Sequence, residues 1–174
     1  MNKVEDQIDT IVIDENYPGL VKKDDTTYLL DDDIYAEGNL DIQIGAVLRV
    51  KGYITVCGNL KASGSIATDH YINTDGDIMA AGYIDASDYI YAGGYINSGC
   101  YITSNYYIFA EGNIHAGGSI DVYGYIHSGG CITTNGCIRA DEYIDAGDCI
   151  KADHFIRSGS YIRAGYFIKT TNII

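Results

Sequence analysis

The sequence contains very little proline and no long apolar run. Proline occurs once among 174 residues, at Pro18. Because proline is so rare, collagen and proline-rich linkers are excluded. No apolar stretch is long enough to suggest a membrane-spanning helix, which needs roughly 18 residues or more. The N-terminus lacks a basic region followed by an apolar core, which is the pattern of a signal peptide. We therefore expect a cytoplasmic protein that does not bind membranes.

Basic residues are also scarce. The chain has 11 Lys and Arg against 24 Asp and Glu, a formal net charge of -13. Residues 1–45 hold 12 acidic and 3 basic residues, whereas residues 62–138 hold 7 acidic residues and no Lys or Arg. Such a surface repels the phosphates of nucleic acids. Direct binding to nucleic acid is therefore not expected, whereas a basic protein partner would suit this charge.

The five cysteines form no CxxC motif. Cys131 and Cys149 hold equivalent places in successive turns of the repeat described below, but two cysteines on neighbouring parallel strands have poor geometry for a disulfide. A reducing cytosol would also keep them as thiols. We predict that all five cysteines are small packing residues, and the sequence indicates neither a metal site nor a cofactor.

A six-residue repeat fills most of the chain. From Leu48 to Ile174 every sixth residue is Ile or Leu, at 22 consecutive positions, and a small or β-branched residue follows two places later. Positions i and i+2 of a strand face the same side, so each repeat supplies a short strand and then a corner. Glycine fills 11 of the 21 places four residues after the aliphatic residue, and it tolerates the positive φ that corners often require. The pattern predicts a β-solenoid around stacked isoleucines.

The residue before the isoleucine sets the number of repeats in one turn. Tyrosine stands at this place in every third hexad, at Tyr53, Tyr71, Tyr89, Tyr107, Tyr125, Tyr143 and Tyr161. Three hexads therefore close one turn, and one face carries a ladder of seven tyrosines. We predict an all-β, triangular parallel β-helix of about seven coils, roughly 34 Å long at about 4.8 Å per strand. The pattern leaves its handedness open.

The first residues do not follow the repeat. In residues 1–33, Ile8, Ile11 and Ile13 with Leu29 and Leu30 suggest one or two strands that fold over the first coil as a cap. Residues 34–174 then form the β-helix. Its first repeats are imperfect, because two residues are inserted between Leu40 and Leu48, and it is regular from residue 48.

The hexads "GGYINSG", "EGNIHAGGSI" and "SGSYIRAGYFI" resemble hexapeptide-repeat β-helix proteins over residues 48–174. In the acyltransferases of that group, a small residue precedes the aliphatic one by two places and glycine follows it, whereas here the aliphatic residue comes first. The uninterrupted stacking is also similar to that of bactofilin-like polymer-forming proteins. These resemblances imply a rigid parallel coil, and the second implies self-assembly.

An acyltransferase trimer is an open alternative, which would need a histidine base beside a subunit cleft. The candidates are His115 and His127 at outward positions and His70 and His154 at corners. The strict hexads leave no inserted loop to shape an acceptor pocket, and no C-terminal helix follows them. We therefore interpret the histidines as surface residues and the protein as not an enzyme.

The tyrosine ladder is the most specific feature of the sequence. Tyrosine is enriched in the centres of protein interfaces. We predict a rigid interaction protein whose partner-binding residues are Tyr53, Tyr71, Tyr89, Tyr91, Tyr107, Phe109, Tyr125, Tyr143 and Tyr161. One alternative is that the rings only cover and stabilise the sheet. Another is an acidic decoy that imitates duplex DNA, as pentapeptide-repeat mimics and some phage anti-CRISPR proteins do.

The C-terminal repeats suggest a second contact. The segment "TNII" contains no charge or proline, and Ile168, Ile173 and Ile174 would lie beside an unpaired strand edge. We predict self-association through these three residues. A cap at one end blocks open-ended growth, so a closed homodimer is favoured over a filament.

Overall fold

The computed structural model describes residues 9–173, with side chains described through residue 171. It confirms an all-β chain wound into a parallel β-solenoid with an 18-residue repeat, and it shows about eight turns. The additional turn comes from strands between residues 10 and 42. In the described part of the chain there is no helix of the length and apolarity that crossing a membrane would require.

The described residues contain twenty-five strands, joined by turns and bends. They are β1 (Thr10–Ile13), β2 (Leu20–Lys22), β3 (Thr27–Leu30), β4 (Ile34–Ala36), β5 (Asn39–Ile42), β6 (Val47–Val50), β7 (Ile54–Val56), β8 (Leu60–Ala62), β9 (Ser65–Thr68), β10 (Ile72–Thr74), β11 (Ile78–Ala80), β12 (Ile84–Ala86), β13 (Ile90–Ala92), β14 (Ile96–Ser98), β15 (Ile102–Ser104), β16 (Ile108–Ala110), β17 (Ile114–Ala116), β18 (Ile120–Val122), β19 (Ile126–Ser128), β20 (Ile132–Thr134), β21 (Ile138–Ala140), β22 (Ile144–Ala146), β23 (Cys149–Ser158), β24 (Ile162–Ala164) and β25 (Phe167–Ile173).

These strands stack into three parallel ladders, which we call the first, second and third faces. The first face contains β4, β7, β10, β13, β16, β19, β22 and β24. The second runs from β1 through β5, β8, β11, β14, β17 and β20 into the first half of β23. The third runs from β3 through β6, β9, β12, β15, β18 and β21 into the second half of β23. β25 pairs with both halves of β23.

The core is a stack of isoleucines, as the repeat predicts. Ile72 pairs with Ile54 in the turn before and with Ile90 in the turn after, so equal positions lie above each other. The aliphatic residue of every hexad from Leu48 to Ile150 is completely buried. Burying a side chain of this size contributes about 1.5–3 kcal/mol. The repeated isoleucine therefore fixes the register of all three faces.

The N-terminal strands extend this coil. β1 pairs in parallel with β5, and β3 pairs in parallel with β6, while β2 alone runs antiparallel along the outer edge of β3. The first full turn is longer than the later ones, since Ile34 lies opposite Ile54, and it accommodates the two inserted residues. Ile8 lies outside the described residues. The division between a cap and the β-helix at residue 33 stays a prediction.

The buried polar side chains bond to the corners. Ser98 Oγ donates to the Gly82 carbonyl one turn earlier at 2.8 Å and accepts the N–H of Cys100. Ser104 and Ser128 make the same pair of contacts. In the described residues every buried side-chain N or O has a hydrogen-bond partner. A serine two places after the isoleucine therefore replaces alanine without leaving a buried hydroxyl unpaired.

The prediction that positive φ explains the corner glycines is wrong. Among the described residues only Gly19, which precedes β2, has a positive φ (81°). The corner glycines are required by close approach between turns. A Cβ atom on Gly94 would lie 1.9 Å from Asp77 Oδ1. Side-chain oxygens of the preceding turn crowd other corner glycines in the same way, at Gly52, Gly58, Gly76, Gly82, Gly130 and Gly136.

The prediction that all cysteines are reduced is also wrong. Cys131 and Cys149 form a disulfide between neighbouring turns of the second face. Their Cα atoms are 4.5 Å apart, within the range for disulfides, because the repeat places the two residues one above the other. Cys57, Cys100 and Cys137 are free thiols.

Candidate interaction surface

The predicted tyrosine ladder is continuous on the first face. Its rings stack from turn to turn with centroids 4.7–5.1 Å apart and planes within 8° of parallel. Each tyrosine directly precedes the isoleucine of its hexad, so the register of the core also aligns the rings. All seven predicted tyrosines belong to this stack: Tyr53, Tyr71, Tyr89, Tyr107, Tyr125, Tyr143 and Tyr161.

Stacking determines which part of each ring is available. The two faces of an interior ring are covered by the rings above and below it, so only ring edges and hydroxyl groups remain at the surface. Most of the ladder is half-buried, and Tyr161 in the last turn is exposed. Burial is the main cause that raises the pKa of Tyr89, Tyr107 and Tyr125. A flat ligand cannot stack onto the interior of the ladder, whereas another protein surface can pack against its edges.

A second aromatic column lies beside the ladder. Tyr91 stacks on Phe109 at 5.2 Å, and Phe109 stacks on His127 at 4.8 Å. These residues occupy the outward position after the isoleucine in three successive turns. The structure therefore brings the predicted residues Tyr91 and Phe109 together with the ladder, and the middle of the first face carries no charged side chain in either aromatic column.

The same outward column ends in a charged cluster. Asp145 is only 6% exposed and accepts hydrogen bonds from Nε (2.8 Å) and Nη2 of Arg163. His127 Nδ1 lies 3.6 Å from the same carboxylate. The hydrogen bonds from Arg163 are the main cause that lowers the pKa of Asp145. The outward position of Asp145 in its hexad predicts an exposed side chain. Instead, Arg163 lies opposite it one turn later and covers its carboxylate.

The histidines lie apart from one another at the surface. His115 Nδ1 is 2.9 Å from Thr133 Oγ1, and His70 Nδ1 is 3.5 Å from Asp88 Oδ2. His154 is exposed at the bend within β23. In the described residues no group of three or more His, Cys, Asp and Glu side chains is arranged to hold a metal ion.

The last turn exposes the isoleucine position of the hexad, which is buried from Leu48 to Ile156. Ile168 occupies the isoleucine position of the hexad but is 42% exposed, and the neighbouring Phe167 is 52% exposed. Ile162 is only partly buried. For the other predicted self-association residues, the side chain of Ile173 and the whole of Ile174 lie outside the described part.

The repeat pattern does not single out several exposed tyrosines, among them Tyr35, Tyr166 and two that share one corner. Tyr106 and Tyr123 lie on the corner between the third and first faces and are 66% and 70% exposed. They belong to successive turns but hold different places in the hexad, so a search for columns at the repeat spacing separates them. The two tyrosines could have been found by comparing whole corners, where a corner consists of the two residues before each ladder tyrosine.

We find no match to this chain among protein-family models, curated proteins or solved structures. A function for this chain therefore has to be proposed from its fold and its exposed side chains.

Proposed function

We propose that this protein is a rigid, non-enzymatic β-solenoid that presents its tyrosine ladder to a protein partner or to a second copy of itself. The observation that carries this proposal is the unbroken stack of seven tyrosines beside the column of Tyr91, Phe109 and His127. Monomeric proteins rarely leave a wide aromatic surface uncovered.

The geometry of the face supports a protein as the binding partner. Ladder hydroxyls and ring edges recur with each turn, about every 4.8 Å, over a length of roughly 34 Å. The strands of another β-sheet or β-solenoid have the same spacing. The two aromatic columns carry no charge in the middle of the face, where Glu111 lies only at the edge against the Tyr91 hydroxyl. Few charges would therefore have to be removed from water when the surfaces meet.

The test replaces Tyr89, Tyr107 and Tyr125 with serine. We expect association, measured by sedimentation velocity and light scattering, to be lost while circular dichroism stays that of a β-protein. The matched control replaces Tyr83 and Tyr101 with serine, because these rings form a stacked pair at 4.6 Å on the third face. Loss of the fold in the ladder variant, without a separate association defect, would instead support rings that only cover the sheet.

Self-association through the last turn is a second part of this proposal. Exposed Phe167 and Ile168 would be buried by another copy that meets them around a two-fold axis, which gives the predicted homodimer. Ile168→Lys should then shift the dimer toward monomer in light scattering. Long polymers in electron micrographs would favour a filament instead, in keeping with the resemblance to bactofilin-like proteins.

The acidic-decoy alternative gains little support from the carboxylates of the central turns. Asp69 pairs with Arg49 at 2.6 Å, and Asp121 pairs with Arg139 at 2.9 Å. Asp77 accepts the N–H of Tyr95, and Asp85 accepts the hydroxyl of Thr103. A decoy should bind its partner with an affinity that falls steeply between about 0.05 and 0.5 M salt, because salt screens exposed charges. A weak response would count against it.

The acyltransferase alternative needs a histidine in a cleft that also holds the acceptor. His115 lies on an exposed strand position and bonds to Thr133. His127 faces the Asp145 carboxylate, which is already bonded to Arg163. We therefore keep the non-enzymatic proposal. Acyl transfer from a thioester donor that is lost in a His115→Ala variant would overturn it.

A further inference from the structure

The corner between the third and first faces combines aromatic and acidic side chains. We call it the aromatic corner and define it by four successive pairs: residues 87–88, 105–106, 123–124 and 141–142. In order along the rod these pairs are Ser-Asp, Asn-Tyr, Tyr-Gly and Asp-Glu. Tyr106 and Tyr123 thus lie in the two middle turns, with carboxylates in the turns on both sides.

The rings of Tyr106 and Tyr123 differ from those of the ladder. Within the described residues neither ring stacks on another aromatic ring, and both are about two-thirds exposed. Their ring faces are therefore accessible to a ligand. The face of a tyrosine ring carries negative electrostatic potential and attracts a cation placed within about 6 Å of its centre.

Carboxylates bracket the two rings. The N–H of Tyr106 donates to the carbonyl of Asp88, which places Asp88 one turn before Tyr106, and its side chain is 41% exposed. The N–H of Glu142 donates to the carbonyl of Gly124, so Glu142 and Asp141 lie one turn after Tyr123. Both are exposed, and neither forms an ion pair with another described residue.

The nearest positive charges are already engaged. Arg139, the first basic residue after position 61, is ion-paired with Asp121 at 2.9 Å. His70, on the other side, faces Asp88. Arg157, one turn after Arg139 on the third face, is exposed and forms no ion pair with a described residue. The turns from Asp88 to Glu142 themselves contain no free Lys or Arg, so their uncovered ring faces and carboxylates are complementary to cations.

From this geometry we infer that the aromatic corner binds an arginine- or lysine-containing segment of a basic partner protein in an extended conformation. From Asp88 to Glu142 the corner spans three steps between turns, about 14 Å. In an extended peptide, residues i and i+4 are about 13 Å apart and point to the same side. Cationic side chains at i and i+4 would therefore reach the two acidic ends, and one at i+2 would lie over the tyrosines.

This inference goes beyond the role proposed for the ladder, because Tyr106 and Tyr123 do not belong to the stack of ladder rings.

The probe is a synthetic peptide with three arginines separated by single glycines, titrated into the full chain and followed by NMR chemical shifts at low salt. We expect shifts for residues of the aromatic corner. The same peptide with citrulline, which has the shape of arginine without its charge, should not bind.

Two variants locate the contact. Tyr106→Ser with Tyr123→Ser should weaken the peptide about 5- to 30-fold, from the loss of two exposed cation–aromatic contacts. Phenylalanine at both positions should retain the affinity, because it keeps the ring faces. Asp141→Asn with Glu142→Gln should weaken binding as well. The control, Glu37→Gln with Asp75→Asn, removes the same charge from another corner and should leave the affinity unchanged.

Several results would overturn the inference. They are no binding of the arginine peptide at millimolar concentration, equal binding of the citrulline peptide, or equal weakening by the two charge variants, which would indicate attraction to the whole acidic rod. A neutral oligosaccharide that shifts the same resonances when the arginine peptide does not would assign the rings to sugar stacking. Failure of the ladder variants to change association would leave this test unaffected, so the two proposals can fail separately.

Discussion

The residue before the core isoleucine has different tasks on the first and second faces. On the second face it is often Asn or Asp, whose side-chain oxygen accepts a backbone N–H one turn later. Asn59 accepts from Asp77 at 2.8 Å, and Asp77 accepts from Tyr95 at 2.9 Å. On the first face the same position is tyrosine in seven turns, and its ring packs on the next ring. Between turns, the same backbone repeat is thus supported by side-chain hydrogen bonds on the second face and by aromatic packing on the first.

This difference determines which residues can follow at the corners. The accepting oxygen of an Asn or Asp occupies the space where a Cβ atom of the next turn would lie, so the second face requires glycine at Gly58, Gly76, Gly94 and Gly130. A tyrosine places no side-chain oxygen in that space, although the backbone carbonyl of Tyr106 still crowds Gly124. The corner before the first face can therefore carry His70, Asp88, Tyr106 and Glu142.

The comparison bears on function. At Gly58, Gly76, Gly94 and Gly130 the second position of the corner is restricted to glycine, although the first position can carry a side chain such as Asp75. The corner before the first face can carry side chains at both positions, including exposed rings and carboxylates. The first face and the corner before it therefore carry large side chains that the backbone coil does not need in order to form. This supports the placement of both proposed contacts on that side of the rod.

A charge in the core should affect both faces, and this is the largest expected effect. Ile102 is completely buried among isoleucines. Ile102→Asp would leave an unpaired carboxylate there and should lower the free energy of unfolding by at least about 3–5 kcal/mol. Thermal unfolding followed by circular dichroism measures the effect.

The control for this variant is Asn97→Asp, which introduces the same residue at an exposed strand position of a neighbouring hexad. It should change the free energy of unfolding by less than about 0.5 kcal/mol. Equal melting temperatures for the two variants would show that the inward and outward positions are assigned wrongly.

Two consecutive corners of the second face test the glycine rule. Gly94 follows Asp77 in the preceding turn, and an added Cβ atom would lie 1.9 Å from Asp77 Oδ1. Gly112 follows Tyr95, and its Cβ atom would meet nothing closer than 3.2 Å. Gly94→Ala should therefore cost about 1–3 kcal/mol. Gly112→Ala should cost clearly less in the same urea unfolding experiment, and a larger cost at Gly112 would contradict the rule.

The cause of the Gly94 effect can be isolated by coupling it to its neighbour. Asp77→Ala removes the acceptor of the Tyr95 N–H and should itself cost about 1 kcal/mol. Without that side chain, Gly94→Ala has space, so the double variant should be more stable than the sum of the single effects by about 0.5–3 kcal/mol. Strict additivity would show that the backbone, and not the Asp77 oxygen, excludes a side chain at position 94.

Much of this fold could be predicted from the sequence, because one residue type at a fixed interval encodes both core and register. The spacing from Leu48 onward predicts the parallel coil, and the recurrence of tyrosine in every third hexad predicts three faces and the stacked ladder. Residues 10–42 were harder to assign. Their turn is longer than the regular repeat, so the strands around Ile13 and Leu30 fall outside the hexad frame although they pair in parallel with it.

Contacts between neighbouring turns could not be predicted from the repeat alone. The period places Cys149 above Cys131, but it does not give the distance that allows a disulfide. It marks Asp145 as outward, yet Arg163 one turn later covers that carboxylate. The exposed rings of Tyr106 and Tyr123 were missed because they occupy different columns of the same corner.

Alkaline pH should produce the smallest difference. Burial also raises the pKa of Tyr83 and Tyr101 on the third face, so a matched variant is needed to isolate the first face. Burial raises the pKa of Tyr89, Tyr107 and Tyr125 above the ordinary tyrosine value of about 10. A raised folded-state pKa means that the folded protein holds the phenol protons more tightly than the unfolded chain does. The associated stability is fully present below about pH 10 and is lost as the pH rises through the folded-state pKa values.

The matched variant replaces these three tyrosines with phenylalanine, which keeps the rings but removes the ionisable groups. Near pH 8 the two proteins should unfold at similar temperatures, since the packing is retained. Above about pH 10 the melting temperature of the wild type should fall more steeply, because ionised phenols are unfavourable between stacked rings. The other titrating groups are common to both proteins and cancel in the comparison. Parallel curves up to pH 11 would mean that the ladder hydroxyls remain fully hydrated, and the ladder would then be more open to solvent than its half-buried rings indicate.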